Sequence, residues 1–278
     1  MSRRTDLAIE EDIVAEGIKS EEKKLGDVKL TTIEISSNKT AEKFGKKKGK
    51  YITVEFADIE KIADYSELKV GIISSLKSLF KENPENILVV GLGNREITAD
   101  SIGPRVAERI LATRHIAGEF AEKIGLHGLR PVSVVTPNVL GKTGVEATEL
   151  VAGLVNKIKP QAVIAIDACV SLSINRLFKT IQLSNSGISP GSGVKNSRKE
   201  LSFKTLGVPV IALGIPTVVD AAQLAFELTG EETKINTDLV VTPKESDLLC
   251  HRISEILSEA LNVFLQPEID EEILFDLV

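Results

Sequence analysis

From Ile87 onward, continuous apolar runs alternate with amphipathic stretches. Ile87–Val90, Val132–Val135, Val163–Ile166 and Val210–Leu213 carry no polar residue facing solvent except Ser133, the pattern of strands covered on both faces. Between and after them, Leu150, Leu154 and Ile158 recur at helical spacing, as do Leu249, Ile253, Ile256, Ala260 and Phe264. Pro104 and Pro216 fit the first turn of a helix, where a missing N–H costs little. This alternation predicts an α/β fold, a mainly parallel sheet with helices on both faces. The first eighty residues read differently. Lys29–Ile35 and Tyr51–Phe56 show period-two alternation on either side of the basic run Lys43–Lys50, which predicts an antiparallel pair joined by a loop. We read residues 28–60 as a small antiparallel β subdomain. A helix carrying Ile72, Leu76, Leu79 and Phe80 on one face follows and ends before Asn83-Pro84. The acidic stretch Glu268–Glu272 is either a frayed end or a last short helix.

Composition narrows the class. With 278 residues, 42% of them hydrophobic and 27% charged, the chain has the makeup of a globular domain with one large core. The net charge of −6 argues against general affinity for nucleic acid or anionic membranes. No apolar run approaches the roughly 18 residues of a membrane span, and the first residues lack the apolar core of a secretory signal. Two cysteines make neither a disulfide framework nor a metal cluster, so a cytoplasmic location is expected.

The candidate chemistry lies where apolar strands run out. Asp100 follows Ile87–Gly93, and Asp167 follows Val163–Ile166. Ligands of open α/β sheets bind beyond the carboxyl ends of strands. Asp100 alone reads as a helix N-cap and Asp167 alone as a strand-end tie. Together they suggest an acid/base pair, or two ligands of a divalent metal. Two close carboxylates cannot both ionise cheaply, so one keeps a proton while the other acts as base. Gly91-Leu92-Gly93-Asn94 lacks the third glycine of a dinucleotide fingerprint. The glycine- and serine-rich stretch Asn185–Glu200 is either a surface loop or a cleft wall that receives extended peptide. Substrate-cleft candidates are therefore Asn94, Gly191, Ser192, Gly193 and Thr217, with Thr217 alternatively a helix cap and Asp220 read as structural. His115, His127 and His251 have no metal-ligand spacing, and no nucleophile elbow appears. Lys46–Lys48 is either a solvated loop or a docking patch for an acidic protein.

These residues resemble the germination protease family, endopeptidases that degrade small acid-soluble proteins of bacterial spores. The matching words are Arg4-Thr5-Asp6-Leu7-Ala8, Phe44–Tyr51, Gly91-Leu92-Gly93-Asn94 with Thr98, Asp100 and Gly103-Pro104, then Thr113-Arg114-His115, Arg130–Ser133 and Ile166-Asp167-Ala168. Ser186-Gly187-Ile188, Pro190–Val194, Gly214–Ala221 and Val241–Glu245 complete the series. The resemblance implies an atypical aspartic peptidase with catalytic Asp100 and Asp167, and a fold akin to hydrogenase-maturation proteases. In those enzymes the matching acids bind nickel, which keeps the metal alternative open. It further implies small acid-soluble spore proteins as substrate, a spore-core location, a homotetramer, and a zymogen that matures by cutting after an acid. Here that autoprocessing bond would be Asp6–Leu7, with residues 1–6 as propeptide and 7–278 as one peptidase domain. Thr5–Glu10 is similar to the family's substrate pattern of acid, apolar residue, alanine, any residue and glutamate. Two departures stand out: the stretch between Ala221 and Val241 is short, and Val170-Ser171-Leu172 replaces an Ala-Ala-Arg-like continuation, although Arg176 matches. A non-catalytic binder of the same spore proteins is the reading from a different class.

Overall fold

The computed structural model describes residues 6–10, 18–43, 45–123, 126–189, 199–231 and 239–277. Nine strands among them form a single sheet: β1 Ile18–Leu25, β2 Val28–Ile35, β3 Gly49–Glu55, β4 Ile87–Gly91, β5 Val132–Val135, β6 Ala162–Ser171, β7 Thr180–Ser184, β8 Val210–Asp220 and β9 Val240–Val241. Their order is β1-β2-β3-β7-β8-β6-β4-β5, with β9 paired to β8. The predicted α/β class holds, but the sheet is mixed. Pairs β4–β5, β4–β6 and β6–β8 are parallel, whereas β1–β2, β2–β3, β3–β7, β7–β8 and β8–β9 are antiparallel. The predicted antiparallel pair forms as β2 and β3, and β3 then joins the main sheet through β7.

One face of the sheet carries the larger core. Alternate residues Val28, Leu30, Ile52, Val54, Ile181, Leu183, Ile211, Leu213, Ile164, Ile166, Ile87 and Val89 pack under two long helices. Helix Ser66–Leu79 contributes Leu68, Ile72, Leu76 and Leu79, and helix Ser246–Leu265 contributes Ile253, Ile256, Leu257, Ala260, Leu261 and Phe264. Each such aliphatic side chain contributes roughly 1.5–3 kcal/mol on full burial. The opposite face is divided. Under helix Ala147–Ile158, Leu88, Val90, Val163 and Ala165 meet Val151 and Val155. Farther across, Ile33, Ile35, Ala41 and Tyr51 gather around Ala8. Glu271–Asp276 forms a short last helix with Asp270 as its cap. Among the described residues no helix is long and apolar enough to cross a membrane.

Three local expectations are corrected. Pro216 lies inside β8 instead of opening a helix; it is tolerated because the β6–β8 register slips between Cys169 and Val170, leaving Thr217 as the extra residue of a bulge. Strand β6 runs on through Ser171, so Asp167 sits within it and not beyond its end. Asp100 does not cap the helix Ile102–Ala107; Ser101 holds that position and makes no side-chain cap bond.

Candidate active site

The order β5-β4-β6-β8 determines where a site belongs. The chain leaves β4 toward β5 on one side, while β6 leads toward β8 on the other. A crevice opens beyond the carboxyl ends of two strands whose connections diverge in this way. Asp100 follows β4 and Asp167 belongs to β6, so both lie at that switch point.

Asp100 ends a 3-10 turn, Thr98–Asp100. The Asn94 amide donates to the Asp100 carbonyl at 3.1 Å and to its Oδ2 at 2.8 Å. This loop closes only because Gly93 adopts φ +110°; a Cβ there would stand 2.1 Å from the Asp100 carbonyl oxygen. From β8, the Thr217 hydroxyl donates to the Ala99 carbonyl at 2.6 Å. From the last long helix, the Cys250 thiol donates to the Thr98 carbonyl at 3.2 Å. Burial pushes that thiol up to about 11, so it stays protonated. Two elements distant in sequence thus fix one short turn.

Asp167 stands where the pairing of β6 with β4 stops, one residue past the Gly91–Ile166 pair. It is 6% exposed, and its Oδ1 accepts from the Ala168 amide at 3.0 Å. Register aligns Asp167 with Gly214 on β8, Gly214 with Gln182 on β7, Gln182 with Thr53 on β3, and Thr53 with Thr31 on β2. Residues aligned across neighbouring strands point to the same face. A polar row therefore crosses five strands, and over Gly214, between Asp167 and Gln182, lies the Cys169 side chain, its Sγ 3.3 Å from where a Cβ would stand. The hydroxyls of Thr31 and Thr53 in this row are buried and have no hydrogen-bond partner among the described residues.

Residues 6–10 lie against this row. The Asp6 amide donates to the Val170 carbonyl at 3.1 Å, and the Val170 amide donates to Asp6 Oδ2 at 2.9 Å. Gln182 clamps the backbone beyond: its Nε2 donates to the Asp6 carbonyl at 2.8 Å, while its Oε1 accepts from the Ala8 amide. Leu7, between these two bonds, is fully buried. The Asp6–Leu7 peptide is thus held on β6 and β7, on the sheet edge that carries Asp167.

Cys169 shares this environment. Burial first, and then the carboxylates of Asp6, Asp167 and Glu10, hold its thiol well above the usual range, with Lys46 opposing. A thiol so protected stays protonated and is unsuited to nucleophilic attack. Among the described residues no group of three or more His, Cys, Asp or Glu comes together in metal-binding geometry.

Of the cleft candidates read from the sequence, Asn94 and Thr217 are buried at 7% and 0% exposure, with bonds that hold the Asp100 turn. Gly191, Ser192 and Gly193 lie outside the described residues. Asp220 caps the helix Ala221–Thr229 through a 2.8 Å bond from the Ala222 amide. Lys47 pairs with Glu200. Sequence reasoning missed Gln182, whose only signal is its register with Asp167 through Gly214.

The family model described as germination protease matches residues 2–230. The germination protease of Clostridium acetobutylicum is 38% identical, with 97% of each chain covered. That of Priestia megaterium is 34% identical over 98% of this chain and 95% of the relative. Among solved structures, a NiFe hydrogenase maturation protease from Thermococcus kodakarensis covers 67% of this chain at 16% identity, with a TM-score of 0.38. On the family model and these near full-length relatives, the chain belongs to the germination protease family.

Proposed function

We propose that this germination peptidase hydrolyses peptide bonds after acidic residues in small acid-soluble spore proteins, using Asp100 and Asp167 as an acid/base pair. One carboxylate takes a proton from the attacking water. The other, protonated, polarises the scissile carbonyl and returns a proton to the leaving amine. Their proximity to one switch point suits such division of labour, since two neighbouring carboxylates favour sharing a single proton.

The observation that carries this reading is the docked Asp6–Leu7 bond. It follows an acid, its carbonyl accepts from Gln182, and it lies over the register row that begins at Asp167. Asp167 and Gln182 are two strand spacings apart, roughly 10 Å, on the same face of the sheet. We infer that this bond is the chain's own processing site, with the zymogen presenting a copy of the substrate's pattern to the pair.

Incubating the full chain with a small acid-soluble spore protein, with and without a strong chelator, tests the mechanism. Cleavage at the same rate in both is expected. Cleavage lost on chelation and regained with a divalent ion would replace the acid/base pair by a metal-assisted reaction. A stable complex without cleavage would make the chain a binder.

A further inference from the structure

Three consecutive carbonyls make up the turn that presents Asp100, and each accepts a hydrogen bond from a different part of the chain. That of Thr98 is held by Cys250 from the last long helix, that of Ala99 by Thr217 from β8, and that of Asp100 by the Asn94 amide. The Ala99 carbonyl belongs to the planar peptide unit that leads into Asp100. The Thr217 bond therefore fixes the plane from which the Asp100 side chain departs. Of the three donors, Thr217 alone sits on the strand paired with Asp167, which aligns with Gly214.

Thr217 reaches the turn because it is the extra residue of the β6–β8 bulge, and a bulge beside a site re-aims a side chain. Two bonds from outside that ladder hold the bulge in place. The Phe178 amide donates to the Pro216 carbonyl at 2.9 Å, and the Thr242 hydroxyl donates to the Thr217 carbonyl at 2.8 Å. Phe178 does so at φ +56°, a backbone region that bulky residues seldom adopt and that persists only where the surroundings over-determine it. Phe178 and Thr217 are both fully buried. Thr242 lies just past β9, in the word Val241–Glu245 to which the acid/base chemistry gives no role.

We propose that Thr217 is a positioning residue of the acid/base pair: its hydroxyl aims the Asp100 carboxylate toward Asp167, and Thr242, behind it, holds Thr217. The inference rests on the reading that Asp100 and Asp167 carry the chemistry. Thr217 acts only through the peptide unit before Asp100. Loss of its hydroxyl releases that unit while the Cys250 and Asn94 bonds remain, so the turn persists but Asp100 is no longer aimed. Misplacing a reacting group by about 1 Å costs about a hundredfold in rate.

The test compares the full wild-type chain with Thr217→Val, Thr217→Ser and Thr242→Val, each checked for its fold by circular dichroism. One readout is kcat and KM for cleavage of a small acid-soluble spore protein. The other is the amide proton resonance of Asn94, which donates to Asp100 Oδ2 at 2.8 Å and so reports where that carboxylate stands. Thr217→Val should lower kcat about a hundredfold at an unchanged KM and displace the Asn94 resonance. Thr217→Ser keeps the hydroxyl and should restore both. Thr242→Val should move both in the same direction by less. Wild-type kcat in a folded Thr217→Val chain would overturn the positioning role, as would an undisplaced Asn94 resonance or a serine variant as impaired as the valine one. Should Thr217→Val not fold, Thr242→Val decides, and wild-type values of both readouts there overturn the role. If the wild-type chain cleaves nothing, the proposed activity falls and the Asn94 resonance alone decides: displacement by valine with recovery by serine sustains the positioning, and no displacement overturns it.

Discussion

Replacing Asp167 by asparagine is expected to lower peptide hydrolysis by at least about a thousandfold, the scale of a lost acid/base group. Asp100→Asn should do the same. Neither change should unfold the protein. An asparagine carbonyl still accepts the 3.0 Å bond from the Ala168 amide at one site and the 2.8 Å bond from the Asn94 amide at the other. What the amide cannot do is hold or release a proton near neutral pH. Steady-state rates together with thermal melts check this. Lost activity at an unchanged melting temperature is the predicted outcome. Full activity in either variant would remove that aspartate from the chemistry.

The second large effect concerns stability. Gly103, in the first turn of the helix that follows Asp100, lies against Leu92 just past β4 and Ile166 within β6. A Cβ added there would stand 2.2 Å from the Leu92 carbonyl oxygen and 2.4 Å from that of Ile166. Both atoms are backbone, so neither can swing aside as a side chain would. Overpacking of this kind costs about 3 kcal/mol or more. Relief would require β4 and β6 to part from the helix Ile102–Ala107, the element that follows directly on Asp100. Gly103→Ala should therefore lower the melting temperature by about 6 °C or more, with loss of activity. Gly141→Ala serves as control, because a Cβ at that position meets nothing within 4 Å. Equal melting temperatures for the two variants would contradict the packing described here.

Much of the parallel centre was legible in the sequence because its strands are unbroken apolar runs and its long helices keep a clear 3.6-residue period. The outer strands were harder. β1, Ile-Lys-Ser-Glu-Glu-Lys-Lys-Leu, is almost wholly exposed and charged, as edge strands often are, and it is ordered by pairing with β2 instead of by burial. The extension of β6 past Asp167 and of β8 past Pro216 arises because each strand supplies the other's hydrogen bonds through a bulge. No local pattern of Asp, Ala, Cys and Pro announces that. The mixed character of the sheet likewise depends on the β3–β7 and β7–β8 pairings, which join segments distant in sequence.

The candidate site divides in the same way. Asp100 and Asp167 were visible because each follows an apolar run. Asn94 and Thr217 were visible as polar residues near those runs, yet their side chains and amides serve to hold the Asp100 turn. Gln182 was not visible at all, and Glu10 and Arg176 were marked only through the resemblance, without their contact to each other. Gln182 gains its meaning from lying two strands from Asp167 in exact register, and Ser171 and Arg176 from meeting a glutamate more than 160 residues earlier. Function at this edge is a property of register and chain return, neither of which local spacing encodes.

The central claim is that this strand-edge site cuts after acids, its own Asp6 included. Sequencing the new amino termini produced when the full chain is incubated with a small acid-soluble spore protein tests it most directly. The account predicts a terminus at Leu7 in the chain itself and termini immediately after acidic residues in the substrate. Termini that follow non-acidic residues in both proteins would contradict it.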